Sequence, residues 1–456
     1  MFSVLSLVSP SQKKTNFSRS PLSLSVLKVS MPMMLGLPVL AYAQDVQSES
    51  NVQHLAPTAI NTATTANANP PSTDLFLECA TLTTDSARLA CYDKVANAGV
   101  STVPTSKQPL NIVKSVEASI KEGKPKVVLG DSEGDATLAV VEPVDTSDNS
   151  YVDSEVVAIS PLIPADEQQV LAEVGMSEAD LGRYSPLSLA FDLDKNSEQG
   201  IWSARPYQPM YILPVFATFD PNRSPETPTQ EEFTYSRGEY EPVELKAQIS
   251  FKTKVAQDLL DTNADLWFGY TQQMHWQVYN EDESRPFRAN DYMPELFLTL
   301  PVTANLPQDG KLRMLGAGAI HHSNGQGDPG SRSWNRLYLM GGAEWGKLTV
   351  MPRVWAHIKN ETDANPSDNP DITDYYGYGD LQMLYDLGKG KTLGGVGRYN
   401  IGEGNGAIEL NYTHPFDEDV YGFLQIFHGY GESIIDYNHK STAVGMGLTL
   451  SDWKGL

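Results

Sequence analysis

His321, Ser323 and Asn335 are the residues whose types and spacing could do chemistry. They lie in Ala319-Ile320-His321-His322-Ser323-Asn324-Gly325-Gln326-Gly327-Asp328-Pro329-Gly330-Ser331-Arg332-Ser333-Trp334-Asn335-Arg336. This stretch opens in an alternating run, breaks into a loop rich in Gly and Pro, and enters a second alternating run. Strand side chains repeat every two residues, so His321 and Ser323 project from one face. A hairpin folded about Asp328 sets Asn335 opposite His321, again on that face. A hydroxyl, a neighbouring imidazole and an amide able to hold the imidazole form the layout of a serine hydrolase, carried on a sheet instead of a helix elbow. The serine needs an adjacent base to become nucleophilic, and histidine, with an ordinary pKa of about 6.5, suits that task. An asparagine orients the ring without supplying negative charge, which suits a lipid-facing wall where an uncompensated carboxylate is costly. His322 points to the opposite face by parity and reads as an inward histidine. The bland alternative is that His-x-Ser arises by chance, as short motifs often do.

The elements that must position these residues are strands. From about residue 207, segments of about ten residues alternate in polarity between turn signals. Val243, Leu245, Ala247, Ile249 and Phe251 interleave with Glu244, Lys246, Gln248, Ser250 and Lys252. Leu266, Phe268, Tyr270, Met274 and Trp276 form a second apolar row, and Val444, Met446, Leu448 and Leu450 a third. About twelve strands are expected, near 210–219, 242–252, 265–277, 293–303, 311–323, 333–345, 348–358, 376–387, 392–400, 406–415, 420–430 and 440–451. An even number of antiparallel strands closes a barrel and leaves no unpaired edge in lipid. Short connections at 308–310, 346–347, 388–391 and 417–419 alternate with longer ones at about 220–241, 278–292, 324–332, 359–375, 401–405 and 431–439. Outer-membrane barrels keep short turns in the periplasm and long loops outside, which puts the Ser323–Asn335 loop on the outer side. Trp276, Trp345, Trp355 and Trp453 are expected in aromatic girdles. A soluble β-sandwich would also alternate, but would not need export, girdles and this loop asymmetry together.

Composition agrees. The chain has 456 residues and a formal charge of −24, with 57 acidic against 33 basic side chains, which argues against nucleic acid as a partner. Mean hydropathy is −0.32 and no interior run of about 20 apolar residues offers a helical span. Residues 1–43 read as an export signal: a basic region, an apolar run over 31–40, and Ala41-Tyr42-Ala43 before the expected cleavage. Residues 44–205 read as a periplasmic extension. It opens in an Asn/Thr/Ala/Pro-rich disordered tether and carries a small helical unit at 74–98, with a helix start at Asp85-Ser86-Ala87. Cys79 and Cys91, the only cysteines, are expected to pair in an oxidising compartment, the alternative being two buried thiols. From Ser101 to about Arg205 the chain is acidic and Pro/Ser-interrupted, with no sustained period and no catalytic role. The fold expected is all-β, a 12-stranded antiparallel transmembrane β-barrel over 206–456 with a largely disordered, partly helical N-terminal extension.

The His321–Arg336 block resembles the signature of outer-membrane phospholipase A. Ser284-Arg-Pro-Phe-Arg288, Asp368-Asn-Pro-Asp-Ile-Thr373 and Gly429-Tyr-Gly-Glu-Ser433-Ile-Ile-Asp-Tyr437 support the likeness in matching order and spacing. It runs from about residue 207 to the end, with nothing before about residue 200 taking part. The resemblance implies Ser323 as nucleophile, His321 as base and Asn335 as the residue orienting the imidazole. Gly325 could offer its backbone N–H to the oxyanion. The resemblance implies a calcium ion as well, taking the Ser331 hydroxyl and the Gln326 carbonyl, with Ser284 from a second protomer. Asp368, with Asp328 nearby, resembles a second calcium position, although loop aspartates are also simply solvated. Gln272 lies in the lipid-facing row, where an unpaired amide is costly; pairing across a homodimer interface would satisfy it, and the resemblance implies dimers. The family usually has Arg where Gln326 stands, but a carbonyl ligand is indifferent to the side chain; it commonly has an aromatic where Ala319 stands, so the acyl pocket is expected to differ. The expected activity is calcium-dependent hydrolysis of sn-1 and sn-2 acyl esters of phospholipids and lysophospholipids in the outer membrane. The rivals are a non-catalytic pore or binding barrel, and a lipid A deacylase, whose His-x-Ser barrel lacks the Ser331–Arg336 block.

Overall fold

The computed structural model describes residues 73–96, 109–130, 165–176, 181, 184–194, 200–235, 239–259, 262–359, 367–416, 420–451 and 455. The export signal read over 1–43 and the tether after it lie outside the described residues, as does Trp453.

Two short strands, β1 (Leu110–Asn111) and β2 (Ala204–Pro206), precede the main sheet. That sheet comprises β3 (Met210–Thr218), β4 (Val243–Leu259), β5 (Ala264–Trp276), β6 (Phe287–Leu306), β7 (Gly310–Ser323), β8 (Ser333–Trp345), β9 (Leu348–Ile358), β10 (Gly379–Gly388), β11 (Lys391–Asn400), β12 (Asn405–Pro415), β13 (Tyr421–Tyr430) and β14 (Lys440–Ser451). Each of these pairs antiparallel with the next, and β14 returns to β3, so twelve strands close a barrel. Alternation produces this wall directly. In β4 the side chains of Glu244, Lys246, Gln248, Ser250 and Lys252 are buried in the lumen while Val243 and Ile249 are exposed. No helix among the described residues is long and apolar enough to cross a membrane.

The polar lumen is crossed by ion pairs. Glu244 accepts from Arg288 through both carboxylate oxygens, at 2.8 and 3.0 Å, and Arg288 reaches Asp436 at 2.8 Å. Lys246 pairs with Glu432 at 2.7 Å. At the short-turn end a helix, Pro186–Phe191, plugs the barrel: Ser185 caps it, Leu187 and Phe191 are buried among Trp267, Phe297 and Met314, and the Leu187 N–H donates to Glu344 at 3.0 Å. The plug explains why β4 runs seven residues beyond the expected end at 252. Lys252 and Lys254 share the inward parity of Glu244, and the plug gives them partners: Lys252 Nζ lies 3.8 Å from the Phe191 ring centroid and Lys254 pairs with Asp192 at 2.9 Å and Asp265 at 2.8 Å.

Trp355 corrects an expectation. It does not sit in an outer girdle but packs into the lumen, 8% exposed, against Trp334, because its parity in β9 is that of Met351. Trp276 and Trp345 are on the outward face, donating to the carbonyls of Arg285 and Pro307.

The stretch from 101 to 205, expected to lack periodic structure, contains helices Ile112–Glu122, Ala165–Glu173 and Pro186–Phe191. They are short, and two of them gain most of their support from tertiary packing, which overrides weak local signals. Leu171 of Ala165–Glu173 is buried in a small core with Leu82, Ala87, Ala90 and Val95 of the helical unit formed by Thr73–Cys79 and Asp85–Ala96. Cys79 and Cys91 are disulfide-bonded in that core. Closing a loop of this length contributes roughly 2–4 kcal/mol. Cys91→Ser is therefore expected to make residues 73–96 protease-sensitive, as limited digestion would show, while barrel melting and hydrolysis stay as in the parent.

Candidate active site

β7 and β8 build the site. Their register pairs His321 with Asn335, Ile320 with Arg336 and Ser323 with Ser333, so the hairpin is centred on Asp328. His321, Ser323 and Asn335 face outward, whereas His322, Trp334 and Arg336 are buried inside. His321 Nδ1 lies 2.8 Å from Asn335 Oδ1. An amide oxygen only accepts, so the ring carries its proton on Nδ1 and presents Nε2 as the basic nitrogen. Ser323 stands two residues along on the same face, about 7 Å away in backbone repeat, a span that the imidazole can bridge. No hydrogen bond joins His321 to Ser323 among the described residues; such bonds often tighten only when substrate arrives.

The inner face holds these strands rigid. His322 Nε2 lies 3.2 Å from Asp291 Oδ2, which also accepts from the Ile434 N–H at 2.7 Å. The Trp334 indole donates to His322 Nδ1 at 3.4 Å, and the Arg336 guanidinium lies 4.0 Å from the centroid of the Trp334 ring.

Loop 324–332 is shaped by Asn324. Its Oδ1 accepts from the Arg332 N–H at 3.0 Å and its Nδ2 donates to the Gly330 carbonyl at 2.7 Å. Gly325 has φ +66, a left-handed conformation that favours glycine, and a Cβ there would come within 3.2 Å of the Tyr292 ring. Asn369 ties the neighbouring loop to the site, accepting from the Ser333 N–H at 2.9 Å. Tyr437 donates to Asp371 at 2.5 Å; burial, then this carboxylate, hold its hydroxyl well above the ordinary pKa, so it remains a donor.

The expected metal ligands divide. Ser331 Oγ donates to Asp368 Oδ2 at 2.6 Å, and the Gln230 amide nitrogen lies 3.1 Å from both Asp328 Oδ1 and Asp368 Oδ1. Two carboxylates thus share one hydrogen-bond donor and a hydroxyl joins one of them, an all-oxygen set that fits calcium and lacks the sulfur or imidazole of a zinc site. No group of three His, Cys, Asp or Glu side chains placed to hold a metal ion occurs among the described residues, and a site built partly from hydroxyl and carbonyl oxygens requires none. Gln326 is exposed beside this group, its N–H 3.3 Å from Asn324 Oδ1. Ser284 is exposed in loop 277–286 at φ 58, and no hydrogen bond among the described residues joins it to Ser331 or Asp368. Gln272 faces outward as parity requires, but its amide oxygen accepts from Tyr270 Oη at 3.0 Å within the same strand, so it is not wholly unpaired. Sequence reasoning missed Gln230, Asn324 and Asn369 as partners of the site; only the first would have been hard to suspect, since the others lie within the matched motifs.

A family model described as Phospholipase A1 matches residues 187–450. A putative phospholipase A1 of Neisseria meningitidis serogroup B is 44% identical over 391 residues, 83% of this chain and 92% of that protein. That span is longer than the barrel, so the likeness reaches into the extension, contrary to the expectation that nothing before about residue 200 takes part. Phospholipase A1 of Escherichia coli (strain K12) is 41% identical over 209 residues, 46% of this chain and 70% of that protein. The solved outer membrane phospholipase A from Escherichia coli covers 59% of this chain and 98% of its own, with 34% identity and a TM-score of 0.51. With the hydrolase-like trio on the outer wall of the barrel, these matches agree on one conclusion: the chain belongs to the phospholipase A1 family and is a phospholipase of the bacterial outer membrane.

Proposed function

We propose that this phospholipase cleaves both sn-1 and sn-2 acyl esters, and lysophospholipids, by a Ser-His-Asn mechanism, with calcium bound and as a homodimer. The observation that carries the mechanism is the 2.8 Å contact between His321 Nδ1 and Asn335 on the lipid-facing wall, two residues from Ser323. His321 Nε2 takes the Ser323 Oγ proton as that oxygen attacks the ester carbonyl. The Gly325 N–H donates to the oxyanion of the tetrahedral intermediate. His321 then returns the proton to the departing glyceryl oxygen, and the lysophospholipid leaves. A water deprotonated by the same nitrogen attacks the acyl-serine, the bond from the acyl carbon to Ser323 Oγ breaks as His321 returns the proton to Oγ, and the fatty acid is released.

Calcium, held by the Ser331 hydroxyl and the Gln326 carbonyl with Ser284 from a partner protomer, would supply positive charge beside the developing oxyanion. Asp328 and Asp368 would hold a second ion. The exposed position of Ser284 and the outward Gln272 amide support a dimer in which the acyl chain lies between two barrels. The extension and the short turns would lie in the periplasm, with the site toward the outer leaflet. A pore fits poorly, because Leu187, Phe191, Trp267, Phe297 and Met314 pack together across the lumen at its short-turn end.

The test uses phospholipid labelled at one or the other acyl position. The parent protein should release both labels, and Asn335→Ala should lower turnover by about 10²-fold, the cost of a misaligned general base. Release from one position only would reject the dual specificity, and an unchanged Asn335→Ala rate would reject the role of the amide.

A further inference from the structure

Helix Ile112–Glu122 is inside out for a helix in water. Its hydroxyl-bearing side is occupied: Ser115 Oγ accepts from the Val128 N–H at 2.9 Å and Ser119 Oγ accepts from the Lys126 N–H at 2.8 Å, which fastens segment 126–128 to it. Val113, Val116 and Ile120, at helical spacing on another side, are 52%, 52% and 78% exposed. Val127 and Leu129 of the fastened segment add further exposed apolar side chains, at 70% and 48%. An amphipathic helix normally turns such a face inward, so this one needs something apolar outside it.

Its place in the fold says what that is. β1, immediately before the helix, pairs in parallel with Val302 and Thr303 of β6. β5 pairs with β6 only as far as Thr299, so β1 takes the edge of β6 that overhangs at the short-turn rim. The outward residues of β6 and β7 just beyond, Leu298 and Leu315, belong to the lipid-facing wall and are 40% and 39% exposed. The helix therefore stands beside β6, a strand of the lipid-facing wall. Residues 109–130 also carry four lysines, at 114, 121, 124 and 126, against two glutamates, in a chain whose net charge is −24. Basic charge beside an apolar face is the pattern of a helix lying in an anionic lipid interface.

We propose that Ile112–Leu129 is an interfacial membrane anchor, lying in the leaflet at the short-turn rim with its apolar face among acyl chains and its lysines at anionic headgroups. It would hold the extension against the bilayer beside the barrel.

Site-directed spin labelling of the full chain tests this, since both native cysteines are in the disulfide. Labels introduced by Val116→Cys, Ile120→Cys and Val127→Cys would be compared with Glu117→Cys in vesicles of phosphatidylethanolamine and phosphatidylglycerol. Hydrolytic activity would report that each variant has folded. At the three apolar positions, collisions with oxygen should exceed those with a water-soluble nickel chelate, and the order should reverse at 117. Lys124→Glu/Lys126→Glu should lower the lipid-inserted population by about fivefold per lysine with phosphatidylglycerol present, and little in zwitterionic vesicles. Aqueous behaviour at all four positions would overturn the proposal. So would labels shielded from both reagents, which would mean a protein partner or a second copy covers the patch. An unchanged double variant would remove the headgroup contribution.

Discussion

Ser323→Ala is expected to lower phospholipid hydrolysis by about 10⁴- to 10⁶-fold, the usual cost of removing a serine nucleophile. Folding should be untouched, because the hydroxyl lies partly exposed on the outer wall and takes part in no hydrogen bond among the described residues. Surface changes of this kind usually alter stability by less than about 0.5 kcal/mol. His321→Ala should lose a comparable amount, and the double variant should be no worse than either, since the two side chains act as a unit. Fatty-acid release from refolded protein in mixed micelles measures the rates, and resistance of the barrel to unfolding on unheated gels confirms the fold. Substantial hydrolysis by folded Ser323→Ala would remove this residue from the mechanism. Losses that multiplied in the double variant would mean that His321 acts elsewhere.

Much of this architecture is legible from residue order alone, for a simple reason. A barrel wall between lipid and a polar lumen must alternate, and β4, β5 and β14 do so without interruption over most of their length. The register of β7 against β8 follows from counting about Asp328, which fixes which residues share the outer face. Misreadings occur where an interior partner changes the meaning of a residue. The chain beyond Lys252 reads as past the strand end until the plug supplies an acidic partner for Lys254. Trp355 reads as a girdle residue until parity and Trp334 place it inside.

Around the site the same limit appears as distance along the chain. Gln230 lies 98 residues from Asp328 and 138 from Asp368, in a loop with no regular period, and only the closed barrel brings the three together. The helices of the extension fail to stand out for a related reason. Ala165–Glu173 has a weak apolar face and becomes informative only when Leu171 enters the disulfide core. By contrast Ile112–Glu122 has its cap, Asn111, and its stop, Gly123 at φ 65, written in sequence, but they lie inside a stretch whose average character is acidic and interrupted.

Chelation of calcium is expected to lower hydrolysis by about 10²- to 10³-fold, the range for losing one oxyanion-stabilising contact. Asp368 and Asp328 both accept from the Gln230 amide, and Ser331 Oγ donates to Asp368, so a cation entering there exchanges one donor for a stronger positive charge. Calcium should restore the rate and magnesium should not, because magnesium demands near-ideal octahedral geometry and gives up its water reluctantly. Asp368→Asn removes one negative charge while keeping an oxygen and the shape. It should shift the calcium midpoint upward while leaving the rate at saturating calcium close to that of the parent. A variant that instead loses the maximal rate at every calcium concentration would make Asp368 part of the framework of the loop, through its bond to Ser331, and not a ligand. Full hydrolysis in excess chelator would leave the Gly325 N–H and its neighbours to stabilise the oxyanion alone, and these oxygen atoms would then be only a polar seam between two loops.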